Sequence, residues 1–323
     1  MNKIIILSES KYDFKYKNIF NPIKSIEVVE GKFFELLRLM FQKNTVYHIR
    51  YIKYRGIFST IFRLLLIFFV SRLTQTKIIW TCHNIFEHNI PSKKINTIFL
   101  RFISFMSDRI IVFHKDLIEY IPKHFSKKIT VSCFGDFKSY FLNQAVKNAD
   151  FSNKLNIWCK DNRSNNFDLL SISAAKRNNL EFLINSVKNT ELNSLIIAPK
   201  SKLNVNNRNI FIYNDYVSKE INQILSNNIN SIGFIGHDNI SVPTSIYMYA
   251  SYGIPIIALD YKPVSSIIKN YKLGYIVDET NIEQCIKKIK MNYEDYQKNL
   301  SIFLEKNNWE FATKTHEKML ERL

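Results

Sequence analysis

The chain is poor in the residues that break or staple a fold. Seven glycines and seven prolines in 323 residues exclude a collagen-like or linker-rich architecture. Four cysteines, Cys82, Cys133, Cys159 and Cys285, make no C-x-x-C pair and no Cys/His cluster, a spacing that argues against a zinc site and for reduced thiols in a cytosolic protein. Acidic residues are scarce as well: 28 Asp and Glu stand against 45 Lys and Arg, a formal net charge of +17. That excess calls for an anionic partner, and nucleic acid, the phosphates of a nucleotide-type donor and an anionic membrane leaflet are the candidates. Lysines are spread over the whole length, with no Arg-rich block, zinc-finger spacing or RNP-like aromatic motif, so nucleic acid is not an expected partner. No apolar run reaches the roughly 20 residues of a spanning helix. The nearest, Ile57 to Val70, is interrupted by Arg63. It reads either as a helix packed on a sheet or as an apolar face, flanked by Arg50, Lys53, Arg55, Arg63 and Arg72, that lies on anionic lipid. The apolar start Ile4–Leu7 is too short for a signal peptide and reads as a first strand.

What is present is hydrophobic sequence, 46% of the chain, over a length that favours two domains. Apolar strand-like runs alternate with helix-periodic stretches: Ile4–Leu7, Val46–Ile49, Lys77–Cys82, Arg109–Phe113 and Ile129–Phe134 in the first half, with helices at Phe33–Phe41, Ile95–Met106 and Leu117–Phe125. From Lys138 to Asn166 the pattern dissolves into Asn, Lys and Ser. It restarts with Leu169–Ser173, Leu195–Ala198, Ile210–Ile212, Ser231–Gly236, Ile254–Leu259 and Gly274–Asp278, separated by helical segments. Such alternation implies parallel sheets with right-handed crossovers. The expected fold class is α/β with two sheets in series, domains at 1–145 and 146–300, and a helical tail at 301–323 that could run back to the first domain. A cleft between the domains is the expected site.

Three groups of residues could carry chemistry. His83, Glu87 and His88 share the loop after the buried run Lys77–Cys82, at the sheet edge where ligands bind in open α/β folds, and a carboxylate or imidazole there could serve as general base. Ser241, Val242, Thr244 and Ser245 lie between a strand and a helix; Ser241 or Thr244 could cap that helix, whose free N–H groups suit a diphosphate. Lys176 and Arg177 follow the first strand of the second half and Lys200 follows another, where cations could neutralise the same diphosphate. Each of these also has a plain structural reading, as a capped helix or a solvated charge.

Several stretches resemble one family. Trp80-Thr81-Cys82-His83-Asn84-Ile85-Phe86-Glu87-His88 is similar to the W-T-x-H-N-x-x-x-H segment of bacterial GT-B glycosyltransferases of polysaccharide, O-antigen and capsule biosynthesis, family 4-like or glucuronosyltransferase-like. In order along the chain, Ser107–Val112, Val131–Phe137, Leu180–Ile184, Ala250–Ala258 and Gly274–Asp278 resemble further segments of that group. The resemblance implies two Rossmann-like domains facing across a cleft and a nucleoside-diphosphate sugar as co-substrate bound mainly to the second. It further implies an acceptor on the first, no cofactor and no metal. His83 would face the donor sugar, Lys176 or Arg177 the diphosphate, and Ser241–Ser245 would meet phosphate through backbone amides. The sequence departs from the family at Ile240 and Met248, where a pair of glutamates is usual, and at Phe134, where a histidine is. The function so implied is metal-independent transfer of a sugar onto a lipid-linked or growing surface-polysaccharide acceptor, by a cytoplasmic enzyme peripheral on the anionic inner face of the plasma membrane. Arg55, Arg63 and Arg72 would serve as membrane or acceptor contacts. The alternatives are a polysaccharide pyruvyl transferase-like enzyme and a non-catalytic, degenerate GT-B partner subunit.

Overall fold

The computed structural model describes all residues except 1–2, 8–12, 53, 88–89, 91, 145–147, 173–178, 202, 204, 229 and 279. The chain divides into two compact units. One comprises 1–134, Ile240–Val242 and Asn307–Leu323; the other comprises Gly135–Asn239 and Pro243–Lys306.

In the first unit six strands, β1 (Lys3–Leu7), β2 (Ile26–Glu30), β3 (Thr45–Ile49), β4 (Lys77–Cys82), β5 (Arg109–Val112) and β6 (Ile129–Val131), form one sheet in the order β2-β1-β3-β4-β5-β6. Every pairing is parallel. Near-continuous apolar runs suit strands covered on both faces, and β3, β4 and β5 are buried along almost their whole length. Ile5, Leu7, Val46, Ile79 and Ile111 pack with Tyr16, Ile19 and Phe20 of helix Phe14–Phe20 and with Ala312, Met319 and Leu320 of helix Trp309–Glu321. That last helix is fixed to the first by Thr313 Oγ1 donating to the Asn18 carbonyl at 3.2 Å and by the Phe14–Trp309 edge contact at 5.6 Å.

The second unit holds β7 (Leu169–Ile172), β8 (Ser194–Ile197), β9 (Ile210–Tyr213), β10 (Ile232–Ile235), β11 (Ile256–Ala258) and β12 (Gly274–Ile276), ordered β12-β11-β10-β7-β8-β9 and again all parallel. This is the doubly wound order, in which the direction of winding reverses between β7 and β10 and leaves a crevice at their carboxyl ends. Gly233 of β10 lets helix Thr244–Ser251 pack closely on the sheet: a Cβ there would stand 2.6 Å from the Tyr249 ring. The Tyr249 hydroxyl donates to the Leu170 carbonyl at 2.8 Å and accepts from the Ile172 N–H at 3.0 Å. It thus satisfies the β7 backbone where the ladder to β10 has ended.

The stretch before Phe33, where the sequence pattern marks no element, contains the edge strand β2 and helix Phe14–Phe20, which Asp13 caps by accepting from the Lys15 and Tyr16 N–H groups at 3.1 and 3.3 Å. Three local expectations differ from the structure. Leu117–Phe125 is two 3-10 turns, Lys115–Tyr120 and Lys123–Lys128, since Pro122 lacks the N–H an α-helix would need there. The polar region after Lys138 is helical at Lys138–Leu142 and Ala149–Asn162. The longer of these buries only Phe151, so its sequence carries no apolar stripe. Finally, helix Thr244–Ser251 starts at Pro243 without a side-chain cap, so neither Ser241 nor Thr244 has that role.

Candidate active site

β4 carries its buried pattern to Cys82, and the chain then turns, the His83 N–H donating back to the Thr81 carbonyl at 3.1 Å. The next residues are held by the segment Ile240–Val242: the Ile85 N–H donates to the Ile240 carbonyl at 3.1 Å, and Asn84 forms an antiparallel bridge with Ser241. Ser241 and Val242 are therefore buried parts of the first unit, packed beside His83's loop.

The imidazole of His83 is clamped in its plane. Tyr51 stacks on it with centroids 4.7 Å apart and Phe113 at 5.1 Å. Phe134, the residue standing in for the family's histidine, extends the column 4.0 Å beyond Phe113. Tyr16 Oη lies 2.7 Å from His83 Nε2. Burial, then the charges of Lys15 and Arg50, hold His83 far below the usual imidazole range, while burial pushes the Tyr16 phenol far up. A protonated phenol can donate to Nε2, with the imidazole proton on Nδ1, or accept from an Nε2–H while donating to Thr81. In either arrangement His83 is a neutral, oriented imidazole at the strand end and is poorly suited to take up a proton itself.

Glu87 is built differently. Its N–H donates to Asn96 Oδ1 at 2.8 Å, and Asn96 Nδ2 returns to the carbonyls of Glu87 and Ile90, both at 3.4 Å. This cross-links the loop to helix Lys93–Met106. Burial raises the carboxyl to about 7, opposed by hydrogen bonds from the Ile52 N–H and the Asn84 side chain. A carboxyl that titrates near working pH is matched to general acid–base chemistry. Its field, after burial and Asp13, helps push the Tyr51 phenol up to about 12. His88 lies outside the described residues.

Sequence reasoning missed Asp13, Lys15, Tyr16 and Tyr51 and placed Arg50 on a membrane face. Arg50 is 1% exposed, with its guanidinium 4.3 Å from the centroid of Tyr16 and 3.7 Å from the Asp13 carboxylate. The available signal was position: Arg50 and Tyr51 directly follow β3 and Asp13 follows β1, at the same sheet edge as His83. One further imidazole, His48 on β3, is fully buried with Nε2 2.7 Å from Thr81 Oγ1, and it supports the β4 end from beneath.

In the second unit Asn179 spans the crevice floor, its Nδ2 donating to the Gly236 carbonyl at 2.7 Å. Lys176 and Arg177 lie outside the described residues. Lys200 is exposed, with a left-handed backbone (φ 64°) and its ammonium 5.8 Å from the Tyr216 ring. Thr244 and Ser245, half-buried, open helix Thr244–Ser251. Among the described residues no group of three or more His, Cys, Asp or Glu side chains is arranged to hold a metal ion.

Helix Ile57–Thr74 has a mean hydropathy of 1.8 over 18 residues, enough by length and composition to cross a membrane. It is the crossover between adjacent strands β3 and β4, so its ends are tied to one sheet. Thr60, Leu64, Ile67 and Ser71 face inward. The outer face is the more apolar one, with Phe58 90%, Phe62 64%, Phe69 58% and Leu73 80% exposed. Arg55 and Arg72 are exposed. Arg63 instead lies over the Phe33 ring at 4.2 Å, and Arg72 reaches over Phe68 at 5.0 Å.

No family profile and no curated protein sequence matches the chain. Solved structures do. Anabaena Alr3699/HepE in complex with UDP superposes with a TM-score of 0.69 at 10% identity, covering 100% of both chains. The lipopolysaccharide outer core galactosyltransferase WaaB gives 0.59 at 10% identity over 99% of this chain and 100% of that one. A putative UDP-N-acetylglucosamine 2-epimerase from Listeria monocytogenes gives 0.56 at 11% identity over 97% and 94%. With two six-stranded parallel sheets of doubly wound type, these likenesses show that the chain has the two-domain α/β GT-B fold.

Proposed function

We propose that the protein is a glycosyltransferase that moves a sugar from a nucleoside-diphosphate donor to a lipid-linked or surface-polysaccharide acceptor at the cytoplasmic face of the membrane, without a metal or other cofactor. The observation that carries this reading is the pairing, on one post-strand loop of a GT-B fold, of a neutral imidazole locked by Tyr16 with a buried carboxyl raised to about 7. In an inverting transfer Glu87 takes the acceptor hydroxyl's proton as that oxygen attacks the anomeric carbon. The bond to the diphosphate breaks and its electron pair leaves with the nucleotide. His83 orients a sugar hydroxyl through its imidazole, the β7/β10 crevice of the second unit takes the nucleotide, and Lys176 or Arg177, Thr244 and Ser245 are the residues assigned to its phosphates. UDP bound to HepE and the galactosyltransferase activity named for WaaB support this choice of substrate class.

The inverted amphipathy of helix Ile57–Thr74 supports peripheral membrane docking. A face of Phe58, Phe62, Phe69 and Leu73 flanked by Arg55 and Arg72 suits the interface of an anionic leaflet. A second reading, a non-catalytic GT-B subunit, is favoured by Ile240 and Met248 in the glutamate positions. Isothermal titration with UDP-, GDP- and dTDP-sugars tests the donor half: binding of one nucleotide class is expected, and no binding by any would sink the transferase reading.

A further inference from the structure

The loop that joins β4 to helix Lys93–Met106 carries Glu87 between two buried isoleucines, Ile85 and Ile90. Enclosing a carboxyl is costly unless hydrogen bonds hold it, and two asparagine amides converge on this one. Asn96 serves the backbone. Its Oδ1 accepts from the Glu87 N–H at 2.8 Å, and its Nδ2 donates to the carbonyls of Glu87, Ile90 and Ser92 at 3.4, 3.4 and 3.3 Å. The Ile90 N–H closes the turn on the Glu87 carbonyl at 3.3 Å. Asn84 serves the carboxyl, which its side chain holds together with the Ile52 N–H. Asn84 is anchored from outside the loop, by its bridge to Ser241 and by the neighbouring bond from the Ile85 N–H to the Ile240 carbonyl at 3.1 Å. Helix packing does not account for Asn96. It is buried on the inward face that Phe99, Leu100 and Ile103 continue, where a leucine would pack as they do and would favour the helix more. Both polar atoms of its amide are instead used on the loop of Glu87. The titratable side chains facing that carboxyl are Tyr51 after β3 and Cys82 on β4, and burial keeps both protonated well above neutral pH. The other elements packed against the loop, helix Lys93–Met106 and the segment Ile240–Val242, meet it with Asn96 and with uncharged residues.

We propose that Asn84 and Asn96 are the positioning residues of Glu87: Asn96 fixes the loop backbone, and Asn84 holds the carboxyl in one orientation. The clamp stands on the hydrogen bonds; that it serves proton transfer rests on the transferase reading. Partners that lock a reacting group keep it within the fraction of an ångström that transfer demands. The geometry makes two opposite predictions. Asn84→Leu leaves the carboxyl buried and removes a donor to its ionised form, so its titration should move up from about 7 by about one pH unit or more. Asn96→Leu keeps the helix face filled and frees the loop, so the carboxyl should meet water and titrate closer to 4.5.

The test uses the full chain and two measurements. Urea midpoints across pH 4–9 read the carboxyl without any substrate, and a His88→Gln background keeps the next imidazole in sequence from adding to the curve. Stability should fall with rising pH until about 7 in the unclamped background's parent, until about 8 or beyond in Asn84→Leu, and over a shorter span in Asn96→Leu. Release of nucleoside diphosphate should show the rising limb of kcat/KM displaced in the same two directions. In both variants kcat should drop by about tenfold to a hundredfold, with nucleotide affinity by calorimetry as in wild type. Curves that keep the wild-type shape in both variants, or that move the same way, overturn the clamp. Displaced curves with wild-type kcat overturn its role in transfer. Asn84 occupies a half-buried loop position, so its variant decides the matter where Asn96→Leu does not fold. Wild type that turns over no donor speaks against the transferase reading and leaves the urea curves to judge the clamp.

Discussion

Replacing Glu87 by Gln separates chemistry from stability, because the two should move in opposite directions. Burial displaces the carboxyl from 4.5 to about 7, which amounts to about 3 kcal/mol against the ionised form. The folded state therefore holds a proton that the unfolded state has released between these values, so this group's stabilising contribution is full below pH ~4.5 and is lost as pH rises through about 7. Glu87→Gln keeps an acceptor for the Ile52 N–H and removes the charge. At pH 8 the variant should be more stable than wild type by up to about 3 kcal/mol, a Tm rise of roughly 5–10 °C, and at pH 4 the two should coincide. Transfer should respond the other way. Wild-type kcat/KM should rise with pH through an apparent pKa of about 7, and the variant should lose that limb together with ~10²–10⁴ of the rate. Release of nucleoside diphosphate from whichever donor binds, followed across pH 5–9, provides the rate, and thermal melts in the same buffers provide the stability. A variant that keeps wild-type transfer, or keeps the limb near 7, would remove Glu87 from the mechanism. An unchanged melt at pH 8 would contradict its burial.

Other consequences follow from the same contacts. His316 is fully buried, donates from Nδ1 to the Ala312 carbonyl at 2.7 Å and is held down to about 4 by burial. Its contribution should be present above pH ~6.5 and lost as pH falls toward 4; His316→Leu should flatten acid unfolding over that window by up to about 3 kcal/mol, read from urea midpoints. Tyr249→Phe strips the Leu170 carbonyl and the Ile172 N–H of their shared partner, which should cost about 2–4 kcal/mol in urea unfolding and weaken nucleotide binding measured by calorimetry. Phe58→Ser with Phe62→Ser should abolish flotation with anionic liposomes, whereas Arg55→Gln with Arg72→Gln should weaken it in a salt-dependent manner; flotation unchanged by both pairs would refute membrane docking. Tyr16→Phe removes the hydroxyl that lies 2.7 Å from His83 Nε2, and is expected to lower kcat by about tenfold, or ~1.4 kcal/mol, and to cost about 1–3 kcal/mol of stability by leaving the buried ring nitrogen without that partner, the first read from initial rates and the second from urea midpoints.

Strands buried on both faces announce themselves as apolar runs, and β4 with its polar exit was readable residue for residue from Lys77 to Cys82. Elements on the outside were not. β2 is an edge strand with glutamates at Glu27 and Glu30, and helix Ala149–Asn162 buries a single side chain; neither has the periodicity that signals its type. The loop with His83 and Glu87 was legible because its ionisable residues are adjacent in sequence. The partners that decide what those residues do were not: Tyr16 reaches His83 across 67 positions, and Arg50 looked like one more surface cation beside an apolar helix until the fold turned it inward against Asp13. The pairing of Asn84 with Ser241, which joins positions 157 residues apart, likewise has no signal in the sequence.

The central claim is that this GT-B fold transfers a sugar. Full-length protein incubated with membranes and a labelled nucleoside-diphosphate sugar should release free nucleoside diphosphate and place label in the lipid-extractable fraction in equal amounts, with Glu87→Gln doing neither. Release of inorganic phosphate instead, isomerisation of the donor sugar with the nucleotide still attached, or no turnover of any donor that binds would contradict it.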